Sequence, residues 1–220
     1  MSTHCIGEIA GCELWLLADK ALYWPQEKLL CIADVHFGKA ATYRALGQPV
    51  PAGTTEHNLR RMDALLALYD VRHLVFLGDF LHAPKAHAPA TLAALHAWRQ
   101  QHSALRITLI RGNHDHRAGD PPASLGIKIV NEPLVMGPLR LRHTPSEEDD
   151  GHVIAGHVHP VITLQGRGRQ ALRLPCFYST ARCTLLPSFG AFTGGYGITT
   201  EAGSRVFVTD GSGVWPLPVR

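Results

Sequence analysis

The chain has 220 residues, of which 45% are hydrophobic and 18% charged, and its mean hydropathy is near zero. That composition excludes a disordered or fibrous chain, and no apolar run approaches the roughly 18 residues that a membrane-spanning helix needs. The net charge of +3 is mild, but it is built from 16 arginines against 5 lysines, and guanidinium groups are the better bidentate partners of phosphate oxygens. Five cysteines without a CxxC spacing suggest neither a disulfide framework nor a zinc ribbon. A soluble protein of the reducing cytoplasm, without membrane partners, is expected.

In chain order, two apolar segments, Glu13 to Ala18 and Lys28 to Ala33, flank a turn containing Pro25 and read as a hairpin or two neighbouring strands. Thr54 or Thr55 is positioned to cap a helix in which Leu59, Met62, Leu65, Leu66 and Tyr69 recur at helical spacing. His73 to Leu77 reads as a strand, Pro89 to Gln101 as a helix, and Arg106 to Ile110 as another strand. This β-α alternation favours an α/β sheet. After about residue 126 the pattern changes to short strands with Gly and Pro turns, such as Leu139 to Arg142, Val153 to Ala155, Val161 to Leu164, Ala171 to Leu174 and Val206 to Val208. Without an internal repeat or linker, residues 1–220 read as one domain.

Four apolar runs end alike: in Asp34-Val35-His36, in Gly78-Asp79, in Gly112-Asn113-His114-Asp115 and in Gly156-His157-Val158-His159. Buried strands that all deliver Asp, Asn or His at their carboxyl ends build a site at one sheet edge, where open α/β sheets place their ligands. The combined oxygen and imidazole donors are too many for one tetrahedral zinc and include no thiolate. They suit two divalent cations that share a ligand. Asp79 is the natural bridge, because a carboxylate can hold two ions at the separation used in two-metal hydrolysis. His143, after the run Leu139 to Arg142, is a further candidate ligand.

Together, the DVH, GD, GNHD and GHVH motifs and His143 resemble the motif set of the calcineurin-like binuclear metallophosphoesterases. The resemblance implies a four-layer αββα sandwich of two mixed β-sheets flanked by helices. It assigns Asp34, His36, Asp79 and His159 to one metal and Asp79, Asn113, His143 and His157 to the other. His114 would sit beside the scissile phosphate, with Asp115 orienting its ring.

Within that superfamily, His36-Phe37-Gly38-Lys39, then Arg44, Gly47, Val50, Pro51 and Gly53, and Gly78-Asp79-Phe80-Leu81-His82 look like the bacterial ligase-associated DNA-damage-response endonucleases. The likeness extends to Leu185, Pro187 to Gly190 and Gly194-Gly195, a stretch expected to shape turns beside the site. It implies cleavage of single-stranded or distorted DNA in repair, and association with a DNA ligase and a helicase. In the mechanism expected, hydroxide attacks phosphorus between two metals and His114 protonates the leaving alkoxide. The ligand set favours Mn²⁺, with iron or zinc as alternatives. His82, which leaves the centre directly in the chain, is expected to contact the phosphate, and Lys39 and Arg44 to bind substrate phosphates. Arg111 and Arg117 are weighed as backbone-tracking cations against a solvated face, and Arg167, Arg169 and Arg173 as a basic strip. Phe37, Tyr43 and Phe80 serve equally as base-stacking rings or as core. A phosphomonoesterase or small nucleotide phosphodiesterase would use the same centre; a non-catalytic scaffold is the reading from another class.

Overall fold

A computed structural model describes residues 4–50 and 53–218, so Pro51 lies outside the described residues. A first sheet runs in chain order through β1 (His4–Ile9), β2 (Cys12–Leu17), β3 (Ala21–Trp24), β4 (Leu29–Ile32), β5 (His73–Leu77), β6 (Arg106–Ile110) and β7 (Lys128–Val130). It is antiparallel from β1 to β4 and parallel from β4 to β7. Its connections carry α1 (Lys39–Ala45), α2 (Thr54–Leu68), α3 (Pro89–Gln101) and α4 (Asn113–Ala118). The rest of the chain supplies β8 (Leu134–Met136), β9 (Leu139–Arg142), β10 (His152–Ala155), β11 (Pro160–Gln165), β12 (Ala171–Ser179), β13 (Cys183–Leu185) and β14 (Tyr196–Gly197). These form a second sheet in the order β14-β11-β12-β13-β10-β9-β8, which β15 (Arg205–Thr209) and β16 (Val214–Leu217) extend from β12. The protein therefore consists of two mixed sheets flanked by helices.

The central strands are buried on both faces, and side-chain alternation decides what each face meets. On β5, Leu74 and Phe76 join the core with the helices, while Val75 and Leu77 join the core between the sheets. Leu30 and Ile32 against Leu29 and Cys31 divide in the same way on β4. On β10, Ile154 faces the inter-sheet core, and Val153 and Ala155 pack in a separate outer cluster. No helix of the described residues is long and apolar enough to cross a membrane.

Two local expectations are corrected. The segments either side of Pro25 are not neighbours, because Ala21–Trp24 forms the fully buried β3 between them, pairing β2 on one side and β4 on the other. Helix α2 is entered through Gly53 in the left-handed region (φ 83°), with no side-chain cap; Thr55 is instead buried inside the helix. Its predicted apolar face is as expected, with Leu59, Met62 and Leu65 buried and Leu66 and Tyr69 packed at the margin.

Candidate metal centre

The parallel registers decide where the site forms. Ile32 pairs with Phe76 and Leu77 with Ile110, so Asp34, Asp79 and Asn113 leave adjacent strands at the same sheet edge. In the second sheet Ala155 pairs with Arg142, which brings His143 beside His157. The two edges are tied together: His157 N–H donates to Asp34 Oδ2 at 2.9 Å, and His143 Nδ1–H donates to the Leu77 carbonyl at 3.0 Å.

Asp34, His36, Asp79, His157 and His159 all adopt left-handed backbone conformations, with φ between 49° and 67°. Such strain costs about 1–3 kcal/mol per residue and persists only where surrounding bonds fix it. Here Ser188 Oγ–H and Gly190 N–H both donate to the Asp34 carbonyl, at 2.8 and 3.2 Å. Phe189 N–H donates to Ala33 O, His36 N–H to Asp79 O, and Asn58 Nδ2–H to Val35 O. The segment Pro187 to Gly190 thus acts as a buttress for the Asp34 turn, which gives its sequence likeness a physical basis. Gly112 is needed for a different reason: a Cβ there would lie 2.3 Å from Asp79 Oδ1.

Asp79 lies between two groups of potential ligands. Its Oδ1 is 3.5 Å from His143 Nε2, and its Oδ2 is 3.7 Å from His36 Nε2. Asp34, His36 and His159 bring ligand atoms within 4.8 Å of one another, as do Asp34, Asp79 and His143. Asn113 Oδ1 and His157 Nδ1 approach His143 Nε2 at 2.9 and 3.0 Å. A third group, His36, His82 and His114, extends the cluster on the other side.

The chemistry of these atoms fits cations. In the neutral ring, donation from Nδ1 to Leu77 leaves only a lone pair on His143 Nε2, which then meets Asn113 Oδ1 as acceptor against acceptor, a contact that a cation relieves. Asp34 Oδ1 is buried without a hydrogen-bond partner. His159 Nδ1–H donates to the Gly194 carbonyl at 3.1 Å, which frees Nε2 to face that orphan oxygen at 3.5 Å. Carbonyl acceptors behind the rings are the usual means of fixing metal-ligating histidines. Burial pushes the pKa of His36 far down, with Lys39 and neighbouring imidazoles adding to it, and burial lowers that of His157, with the adjacent His143 imidazole adding to it. Burial would lower His159 as well, but the nearby Asp34 carboxylate, with the Gly194 carbonyl, prevails and raises it.

The remaining predicted residues divide. His114 N–H donates to Asp79 Oδ1 at 2.9 Å, and its ring is oriented by Nδ1–H donation to the His82 carbonyl at 2.7 Å. Asp115 does not orient that ring. As the third residue of α4 it turns back, and its carboxylate accepts from Gly112 N–H and Leu81 N–H, both at 3.0 Å, clamping two site loops together. Burial raises Asp115 to about 6 against those bonds. His82 stacks between His114 and Tyr43, with ring centroids 4.9 and 5.8 Å away. Burial, then the Lys39 and His114 charges, lower it to about 4.

Lys39 is half-buried in the field of Asp79 and Asp34. Arg44 is exposed in the last turn of α1, donating to Val50 O at 3.4 Å. Arg111 is held by Asp120 at 2.7 and 2.8 Å, so its charge is already partnered. Phe37 and Phe80 are core, whereas Tyr43 is half-buried against His82. Glu132 was not foreseen: its carboxylate accepts from His143 N–H at 2.8 Å and from Thr144 N–H at 3.0 Å. A lone Glu before a proline carries no signal of that role.

The profile of the calcineurin-like phosphoesterases matches residues 27–135, which span the first three motifs. The crystal structure of the nuclease MPE of Pseudomonas putida is 51% identical, covering 98% of this chain and 100% of that one, with a TM-score of 0.87. A protein of unknown function from Aquifex aeolicus, AQ665, is 19% identical over 64% of this chain and 82% of that one, with a TM-score of 0.40. No curated protein matches the chain. The chain belongs to the calcineurin-like phosphoesterase family and is a metal-dependent hydrolase. Among solved structures it is similar over its whole length to a nuclease.

Proposed function

We propose that the protein is a phosphodiesterase that acts as an endonuclease on single-stranded or distorted DNA, and that its role lies in DNA repair. The observation that carries the reading is Asp79, whose two oxygens face the His143 group and the His36 group separately. In this reading Asp34, His36, Asp79 and His159 hold one divalent cation, and Asp79, Asn113, His143 and His157 the other. Bound there, two cations supply charge against the phosphoryl oxygens and lower the pKa of water. Mn²⁺ suits the carboxylate, amide and imidazole donors better than zinc does. The 51% identity to a nuclease over the whole chain supports the nucleic-acid substrate.

The chain's own contribution is proton control at one side of Asp79. His114 keeps its Nδ1 proton on the His82 carbonyl, so Nε2 is the atom that gains and gives a proton. That Nε2 lies 4.0 Å from Asp79 Oδ2, at the site margin where a leaving oxygen can reach it. If His36 ligates through Nε2, its Nδ1–H donates to His82 Nδ1, 3.4 Å away, and His82 presents Nε2–H. His82, neutral at pH 7, then donates a hydrogen bond to the phosphate, while His114 is the general acid. The test is incubation of manganese-loaded protein with circular single-stranded DNA, duplex DNA and a panel of nucleotide monoesters. Preferential consumption of the single-stranded circle supports the reading; consumption of the monoesters alone replaces it with a phosphomonoesterase.

A further inference from the structure

Beside the centre, on the His159 side, the surface opens into a groove of about 250 Å³ lined by Lys20, His159, Arg173, Ser188 and the segment Thr193 to Gly195. His159 belongs to both, so whatever fills the groove adjoins the group bound at the centre. No acidic side chain lines it among the described residues. Arg173, which extends from β12, is braced by donation to the Gly195 carbonyl, which also lines the groove.

Lys20 lies half-buried in the turn between β2 and β3. Its ammonium has no hydrogen-bond or ion-pair partner among the described residues, and the neighbouring Asp19 carboxylate also faces Arg61, at 3.4 Å through Oδ1. Burial and the Arg61 charge hold Lys20 down at about 8, against the pull of Asp19. An anion in the groove would supply the missing partner. Two exposed aromatic residues, Phe192 and Tyr196, bracket the Thr193 to Gly195 wall in the chain, at 58% and 70% exposure. Exposed rings next in the chain to the wall of a cationic groove suit a single strand, in which bases stack while cations follow the backbone. A free phosphate would use the cations and leave the rings idle.

We propose that this groove is a second phosphate subsite, which holds the phosphodiester next to the scissile one on a single nucleic-acid strand, with Lys20 and Arg173 as its cations. The proposal rests on the nuclease reading above. It assigns the wall at Thr193 to Gly195 to the substrate path and makes one flanking phosphate a determinant of cleavage.

The experiment measures kcat/KM of the manganese-loaded enzyme on thymidylyl-thymidine and on the same dinucleotide with a 5′- or a 3′-terminal phosphate, for wild type, Lys20→Gln, Arg173→Gln and the double variant. One of the two added phosphates is expected to raise wild-type kcat/KM at least fivefold, through KM, and the gain should vanish in the double variant. On decathymidylate, the slope of log kcat/KM against log salt should flatten by about 0.7 for each lost contact. Lys20→Arg should retain the gain, and Arg173→Gln, on an exposed strand, provides the readout if Lys20→Gln fails to fold. An equal gain in wild type and in the double variant, or no gain in wild type, overturns the subsite and leaves the nuclease reading standing. Failure of wild type to cut decathymidylate at all overturns both.

Discussion

His114 and His82 are linked twice: Nδ1 of His114 donates to the His82 carbonyl at 2.7 Å, and the two rings stack at 4.9 Å. The carbonyl leaves His114 only Nε2 for proton transfer. The stack places His82 alongside as a neutral ring, since burial and the charges of Lys39 and His114 hold it at about 4. In the proposed reaction this pair divides into a proton carrier, His114, and a hydrogen-bond donor, His82.

This division predicts a substrate-dependent defect. A sugar hydroxyl is a poor leaving group and needs a proton as it departs, whereas nitrophenolate does not. His114→Ala should lower DNA cleavage by the ~10²- to 10⁴-fold typical of lost acid catalysis, yet keep bis(4-nitrophenyl) phosphate hydrolysis within about tenfold of wild type. The check is kcat/KM for both substrates with metal content measured. Equal losses would place His114 in support of the ligands.

His82→Ala should show a smaller version of the same split, because one hydrogen bond to the phosphate is lost while the carbonyl that orients His114 remains. A loss on DNA below that of His114→Ala, with an unchanged pH profile, is expected. A shifted pH profile would make His82 the proton carrier.

The Asp34 turn gives a prediction about stability. Ser188→Ala removes a buried hydrogen bond to the Asp34 carbonyl and leaves Gly190 N–H as its remaining donor from that segment. Denaturant unfolding should show a loss of about 1–2 kcal/mol, with metal affinity lowered as the turn relaxes. Unchanged stability and affinity would mean that the turn is held without Ser188.

A pH effect is expected away from the centre. Buried His73 accepts from Arg106 at Nδ1 and donates to Thr108 Oγ1 through Nε2; burial, then the Arg106 charge, lower it to about 4. Its folded pKa is thus below the unfolded value of about 6.5, so the unfolded chain binds the proton more readily. The contribution is complete above about pH 6.5 and is lost as pH falls to about 4, at no more than about 1.4 kcal/mol per pH unit. The stability difference between wild type and His73→Gln should shift against wild type over that window. A difference independent of pH would refute the assignment.

Much of this was legible in the sequence because it rests on local pattern. The apolar runs ending in Asp34, Asp79, Asn113 and His157 are the ends of buried strands; parallel pairing brings the first three to one sheet edge, and the second sheet delivers His157 to face them. Strand β3 was hidden because Ala21–Trp24 is short and lies before Pro25, where turn signals dominate. The role of Asp115 was misread because sequence adjacency to His114 says nothing of direction, and α4 turns the carboxylate back toward Gly112. Glu132 and the Gly194 carbonyl support the candidate ligands His143 and His159 from 11 and 35 residues away, which no periodicity or motif reveals.

In the proposed centre Asp79 serves two metal positions at once. The direct test is the metal content and turnover of Asp79→Ala after loading with manganese, beside wild type treated identically. Two ions per chain are expected in wild type, and fewer than two in the variant, with no detectable hydrolysis of DNA or bis(4-nitrophenyl) phosphate. Asp79→Ala protein that keeps two ions and a tenth or more of wild-type turnover would contradict that role.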